Sequence, residues 1–233
     1  VTQRVDISVN GMVEVMEARE VAYSLLARLF LEEPDEGFIR ELSRRGAFDT
    51  FLFAEESDAV EVAARRVASA LSELESLGDE GFQAVRWDYT RLFVGPERLP
   101  APPWESAYLT EERLLFQEST LEVRRAYGKY GLVTRNYPHE ADDHLGFELE
   151  FMAHLSRLAR EGVAKPTEAG RPAPEQVLAD QAAFLREHLQ RWVPAFAADV
   201  EARASTVFYR GLACLLKSFL QADAAFIQDM QSM

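Results

Sequence analysis

The 233-residue chain has one cysteine, Cys214, and four histidines. A single thiol excludes an intramolecular disulfide and any cysteine-rich metal site, and it suits a reducing compartment. No run approaches the 18 or more apolar residues that a bilayer span requires, and residues 1–10 hold Asp6 but no apolar signal-peptide core. The expectation is a cytoplasmic chain with no stable membrane insertion. Cations are scarce: 25 Lys and Arg stand against 39 Asp and Glu, for a net charge of −14. That balance argues against nucleic acid, whose binding rests on cations neutralising phosphates, and it favours a cationic partner captured by electrostatic steering. Also missing are the G-x-S-x-G nucleophile turn, the G-x-x-x-x-G-K-[ST] phosphate loop and the G-x-G-x-x-G dinucleotide fingerprint. Cys214 lies in an apolar helical run, where a thiol is buried and inert. No enzyme is argued by these residues.

What the chain does have is 48% hydrophobic and 27% charged residues, the composition of a globular protein with a real core. Apolar positions recur at helical spacing almost throughout, as in Ala18, Ala22, Leu25, Leu26, Leu29 and Phe30. The pattern predicts an all-α, single-domain bundle of about ten helices over 1–233. The expected helices cover 14–32, 36–45, 57–77, 79–93, 109–127, 140–160, 174–191, 195–202, 204–220 and 221–230, with Pro194 as a break. A Pro-rich loop is expected at 95–108, a mobile Pro/Gly loop at 162–174, and neither strands nor internal repeats.

Two stretches stand out chemically. The first is His139, Glu140, Asp142, Asp143, His144 and Glu148. It resembles a zincin opening, but His139 and His144 are five apart and diverge around a helix. Glu140, His144 and Glu148 do fall at four-residue steps, so a metal-dependent helical-bundle enzyme is the alternative reading. An acidic first turn packed by a histidine is the blander one. The second stretch runs from Tyr89 through Leu92, Phe93, Gly95 and Pro96 to Pro103, Trp104, Glu105, Ser106 and Tyr108. Aromatics at a helix end and just after a proline-rich loop suit a concave apolar groove for a peptide. The blander reading is a helix end plus core aromatics, and a residue such as Phe93 is more often core than ligand contact.

Taken together, Tyr89–Pro96 with Pro102–Leu109, and His139–Gly146 with Glu148–Met152, resemble the TorD/DmsD family of cytoplasmic chaperones that mature molybdenum-containing redox enzymes, the DmsD branch above all. The first stretch is similar to the family's aromatic-x-x-L-F-x-G-P run followed by P-P-W-x-S-x-aromatic; the second is similar to its N-E-P-x-D-H motif. His139 and Ala141 depart from that pattern. The resemblance implies a chaperone without enzymatic activity. Its partners would be the twin-arginine signal peptide and the apo catalytic subunit of a molybdopterin oxidoreductase, held back from Tat export until its cofactor is inserted. Tat translocase components are further partners by the same resemblance. The implied peptide-binding residues are Tyr89, Leu92, Phe93, Pro103, Trp104 and Tyr108 on the apolar side, Glu140, Asp143 and His144 on the polar side, and Ser106 with them. A neutral His144 would orient Asp143 or pack against the peptide. No cofactor is expected of this chain: molybdopterin belongs to the client, and weak GTP binding enters by family resemblance alone. Monomer and domain-swapped dimer both stay open.

Overall fold

The computed structural model describes residues 9–96, 98–110, 112–135, 137–164 and 172–232. Among these it has ten α-helices: α1 Val9–Leu31, α2 Glu36–Arg44, α3 Asp58–Leu77, α4 Asp79–Tyr89, α5 Ser106–Leu109, α6 Glu118–Gly128, α7 Leu145–Ala164, α8 Pro174–Phe184, α9 Gln190–Arg203 and α10 Val207–Gln231. The all-α expectation holds. Wider π-helical turns continue α4 over Thr90–Val94 and join α8 to α9 over Leu185–Leu189. None of the described helices is long and apolar enough to cross a membrane.

Local chemistry sets many of the boundaries. The Asp35 and Ser57 side chains accept from backbone N–H groups in the first turns of α2 and α3. Thr206 does the same for α10, where Asp88 also accepts from the Ser205 and Thr206 N–H groups at 3.0 and 2.9 Å. Helix α1 lies antiparallel to α7: Arg160 near the end of α7 bonds Glu20 at 2.9 Å, while Gly146 at its start meets Leu31. A Cβ at Gly146 would come within 2.6 Å of the Leu31 Cβ, so only glycine permits this approach. Helix α3 similarly lies along α10, with Gly211 against Val67. The core between these pairs is strongly aromatic. Phe93 touches Phe30, Tyr89, Phe196 and Tyr209 at centroid distances of 5.4–5.9 Å, which ties the end of the π-turn to α1, α9 and α10. An ion pair sits in this interior: Arg19 donates to both Asp223 oxygens at 2.6 and 2.9 Å, and the Tyr23 hydroxyl donates to the same carboxylate.

Several expected boundaries are corrected. The helix expected over 109–127 is two helices, because Thr110 is extended and Arg113 and Phe116 adopt positive φ, leaving Leu114 and Phe116 exposed rather than on a buried stripe. Helix α5 claims 106–108 from the predicted loop. The helix expected from Glu140 starts at Leu145. Pro194 does not break the chain: it lies in the first turns of α9, just after the π-turn has widened the backbone that its ring would otherwise strike. Residues 204–220 and 221–230 merge into α10, since nothing between Leu220 and Gln221 stops a helix. Of the predicted 162–174 loop, 162–164 are helical, 172–173 are irregular, and 165–171 lie outside the described residues.

Candidate functional site

The two chemically distinctive stretches, some forty residues apart in sequence, meet backbone to backbone. Trp104 and His144 form an antiparallel bridge. The Glu105 N–H donates to the Asp143 carbonyl at 3.0 Å, and the Leu145 N–H donates to the Pro103 carbonyl at 2.8 Å. Outside helices, a pair of bonds like this is what fixes two irregular segments in register.

Asp143 stands at the centre. It is buried, and its two oxygens accept from the Ser106 N–H at 2.7 Å and the Thr120 hydroxyl at 3.0 Å. One carboxylate therefore holds the start of α5 and the start of α6 to the turn before α7. Its neighbour Asp142 faces the opposite way, bonded by Arg124 at 2.8 Å and by the Thr134 hydroxyl at 2.9 Å. His144 caps α7: its Nδ1 accepts from the Gly146 N–H at 3.0 Å, which fixes the neutral tautomer with the proton on Nε2. Burial lowers its pKa from the usual value to about 4. The ring stands edge-on to Trp104 at 5.3 Å and packs on Phe147.

Behind this turn lies a second layer of acids. The Glu105 carboxylate pairs with His188 Nδ1 at 3.0 Å, and Glu148 accepts from Trp192 Nε1 at 3.1 Å. Burial, with Glu105 and Asp143 close by, pushes the Glu148 carboxyl well above the ordinary range. Trp104 Nε1, Glu105 Oε1, Ser106 Oγ and Glu148 Oε1 are buried without a hydrogen-bond partner among the described residues. Such atoms are uncommon, and here they gather at one place.

The predicted site residues thus divide into two kinds. Leu92 and Phe93 are core, and Pro103, Ser106, Asp143 and His144 are buried within the joined segments. The Phe93 ring packs against Phe30, Phe196 and Tyr209. Trp104, Tyr108 and Glu140 keep accessible surface. Tyr108 donates to Asp199 at 3.1 Å, and Arg113 lies over its ring. Tyr89 is nearly buried, and its hydroxyl is driven up by burial and then by Glu33, Glu32 and Glu140. Those causes show a feature the sequence did not: Glu32 and Glu33, just past α1, and Glu140 all act electrostatically on one tyrosine. Glu33 is held there by Arg86 at 2.6 Å and Glu32 by Arg28 at 3.0 Å. A hydropathy pattern could not reveal this convergence, because it depends on the antiparallel course of α1 against α7.

The metal alternative does not survive. Glu140 precedes α7, His144 directs a ring nitrogen to the backbone and Glu148 points inward, so their four-residue spacing creates no common face. Among the described residues no group of three or more His, Cys, Asp or Glu is placed to hold a metal ion.

Comparison with known proteins adds the following. Residues 54–198 match the family model described as nitrate reductase delta subunit. The chain is 32% identical over 140 residues to a chaperone protein TorD of Photobacterium profundum, across 60% of this chain and 62% of that protein. It is 27% identical over 214 residues to a chaperone protein TorD of Aliivibrio salmonicida, across 91% and 95%. It is 30% identical over 139 residues, 60% of each chain, to a Haemophilus influenzae protein named "Probable Tat proofreading chaperone DmsD". The first and third matches span less than two thirds of the relatives' lengths.

Proposed function

The chain belongs to the nitrate reductase delta subunit family, and on that premise we propose that it is a cytoplasmic chaperone of the TorD/DmsD kind. It captures the twin-arginine signal peptide on the apo catalytic subunit of a molybdopterin oxidoreductase, before cofactor insertion and Tat export. The curated relatives are named as chaperones, which supports a binding role over a catalytic one.

The observation that carries the reading is the backbone joining of 103–105 to 143–145, with Glu140 just before the second segment and Glu32 and Glu33 acting with it on Tyr89. A signal peptide offers two adjacent guanidinium groups followed by an apolar stretch. Glu140, with the acids after α1, supplies carboxylates for the guanidinium groups, and Trp104 and Tyr108 supply aromatic surface for the apolar stretch. Tyr89, Leu92, Phe93, Pro103, Ser106, Asp143 and His144 shape this surface from behind. Asp143 is a positioning residue in this scheme, since both its oxygens are already engaged. A neutral His144 fits a site for arginine, because an imidazolium would repel it.

Calorimetric titration with a twin-arginine signal peptide, and with a copy carrying two lysines, tests the reading. Micromolar or tighter binding is expected, weakened roughly tenfold by lysine, which cannot engage a carboxylate in bidentate fashion. A Glu140→Lys chain is expected to weaken it further. Equal affinity for both peptides would overturn the assignment of the acids.

A further inference from the structure

Around the start of α10 and the turn before it, basic side chains gather at the surface. Along α10 the solvent side reads Val207, Arg210, Cys214 and Lys217 at alternating steps of three and four, so these residues share one face. Arg66 of α3 reaches onto it, with Nη1 3.5 Å from the Cys214 sulfur. At the N-terminal end of the face, the turn between α9 and α10 gathers more cations. Arg91 donates to the Arg203 carbonyl at 2.6 Å, and Arg210 donates to the carbonyls of Ala204 and Ser205 at 2.9 and 3.5 Å. One helical turn before Arg91 stands Trp87, 71% exposed.

The partners of these arginines matter more than their number. Many exposed arginines elsewhere pair with carboxylates, as Arg28 does with Glu32, Arg40 with Glu36 and Arg86 with Glu33. Arg210 is held by two neutral carbonyls, and Arg66 by a thiol that burial keeps protonated. Carbonyl and thiol acceptors fix a guanidinium in place without cancelling its charge, which leaves it oriented and available. Two acids do lie within the face: Asp88, which is buried and also bonded by Ser205 and Thr206, and Glu201, which reaches Cys214. Arg91 is the cation that Asp88 neutralises. Arg203 and Lys217 are exposed beside them. In a chain of net charge −14, a basic strip ending in an exposed tryptophan is a local reversal of sign.

We propose that this strip, from Trp87 across the 203–206 turn and along α10 to Lys217, is a docking surface for an acidic protein segment that carries an apolar side chain. The carboxylates meet Arg203, Arg210, Arg66 and Lys217, and the apolar side chain covers Trp87 and Val207. Charge complementarity selects the occupant: the strip is short, and the strongly negative remainder of the protein repels a long polyanion such as nucleic acid. The charge argument for this surface does not depend on the signal-peptide assignment.

The test uses a fluorescein-labelled twelve-residue peptide of glutamate and leucine, read by anisotropy, with a lysine and leucine peptide and a dT twelve-mer beside it. The acidic peptide is expected to bind saturably and to weaken about tenfold between about 50 and about 300 mM salt. It should weaken about tenfold again in an Arg203→Glu, Lys217→Glu chain, whose substituted side chains are exposed and whose circular dichroism should match the parent. Trp87→Ala should weaken binding without changing the salt dependence. The proposal is overturned by absence of acidic-peptide binding, by affinity indifferent to the charge reversals, or by equal binding of the lysine peptide. Tighter binding of the oligonucleotide would make the strip a phosphate surface and would overturn it equally.

Discussion

Removing the Asp143 carboxylate should loosen the molecule at the junction of its two distinctive segments. In the folded chain this buried group accepts two hydrogen bonds, from the Ser106 N–H at 2.7 Å and the Thr120 hydroxyl at 3.0 Å. A hydrogen bond to a charged group is worth about 1.5–3 kcal/mol, and both donors would be left in the interior. Asp143→Ala should therefore cost about 3–6 kcal/mol, and Asp143→Asn, which keeps one acceptor, about half of that. For a chain of this size the alanine variant should melt roughly 10 °C lower or more. Urea unfolding followed by circular dichroism, alongside thermal melts, provides the measurement. Thr120→Val, which removes one of the two donors, should cost about 1–2 kcal/mol and leave peptide affinity intact. If Asp143→Ala unfolds within about 1 kcal/mol of the parent yet no longer binds signal peptide, the carboxylate meets the ligand directly and the positioning argument is wrong.

Further expectations follow from other buried groups. His144 has its pKa lowered to about 4 by burial, so the unfolded chain takes up a proton near the ordinary value while the folded chain resists until about 4. Stability should fall by about 1.4 kcal/mol per pH unit between those limits as pH drops, and the His144 ring protons should not titrate by NMR between about pH 5 and pH 8; a midpoint above 6 would contradict the burial argument. Glu148 has the opposite sense: a raised pKa means the unfolded chain releases its proton first, so its contribution is lost as pH rises above the ordinary carboxylate value. Glu148→Gln should preserve the bond from Trp192 and flatten the decline in melting temperature toward alkaline pH. Gly146→Ala should cost about 1–3 kcal/mol in urea titration by driving α7 from Leu31. Arg19→Met should cost about 3–5 kcal/mol, because Asp223 would stay buried without its cation.

Much of this architecture was legible in the residues. Helical spacing located α2 and α3 within a residue or two, while the caps that start them, Asp35 and Ser57, were not used although their chemistry is local. The splitting of α5 from α6 was hidden because positive φ at Arg113 and Phe116 has no glycine to announce it. Pro194 misled for the converse reason: the π-turn before it removes the clash, and no side chain signals a π-turn. At the site, the proximity of the two distinctive stretches could be expected, while their division of labour could not. Leu92, Phe93 and Asp143 look like ligand contacts in sequence and turn out to be interior, because aromatic and acidic side chains serve packing and capping as readily as recognition. The electrostatic effect of Glu32 and Glu33 on Tyr89 was invisible in sequence, because it depends on how the end of α1 lies in the fold.

The central claim is that a signal peptide docks on the joined 103–108 and 140–145 segments. Hydrogen exchange of the full chain, with and without a saturating twin-arginine peptide, measures this most directly. The account predicts slowed exchange in 103–109, in 138–145 and at the end of α1, with little change along α10. Protection confined to other surfaces, with those segments unaffected, would contradict it.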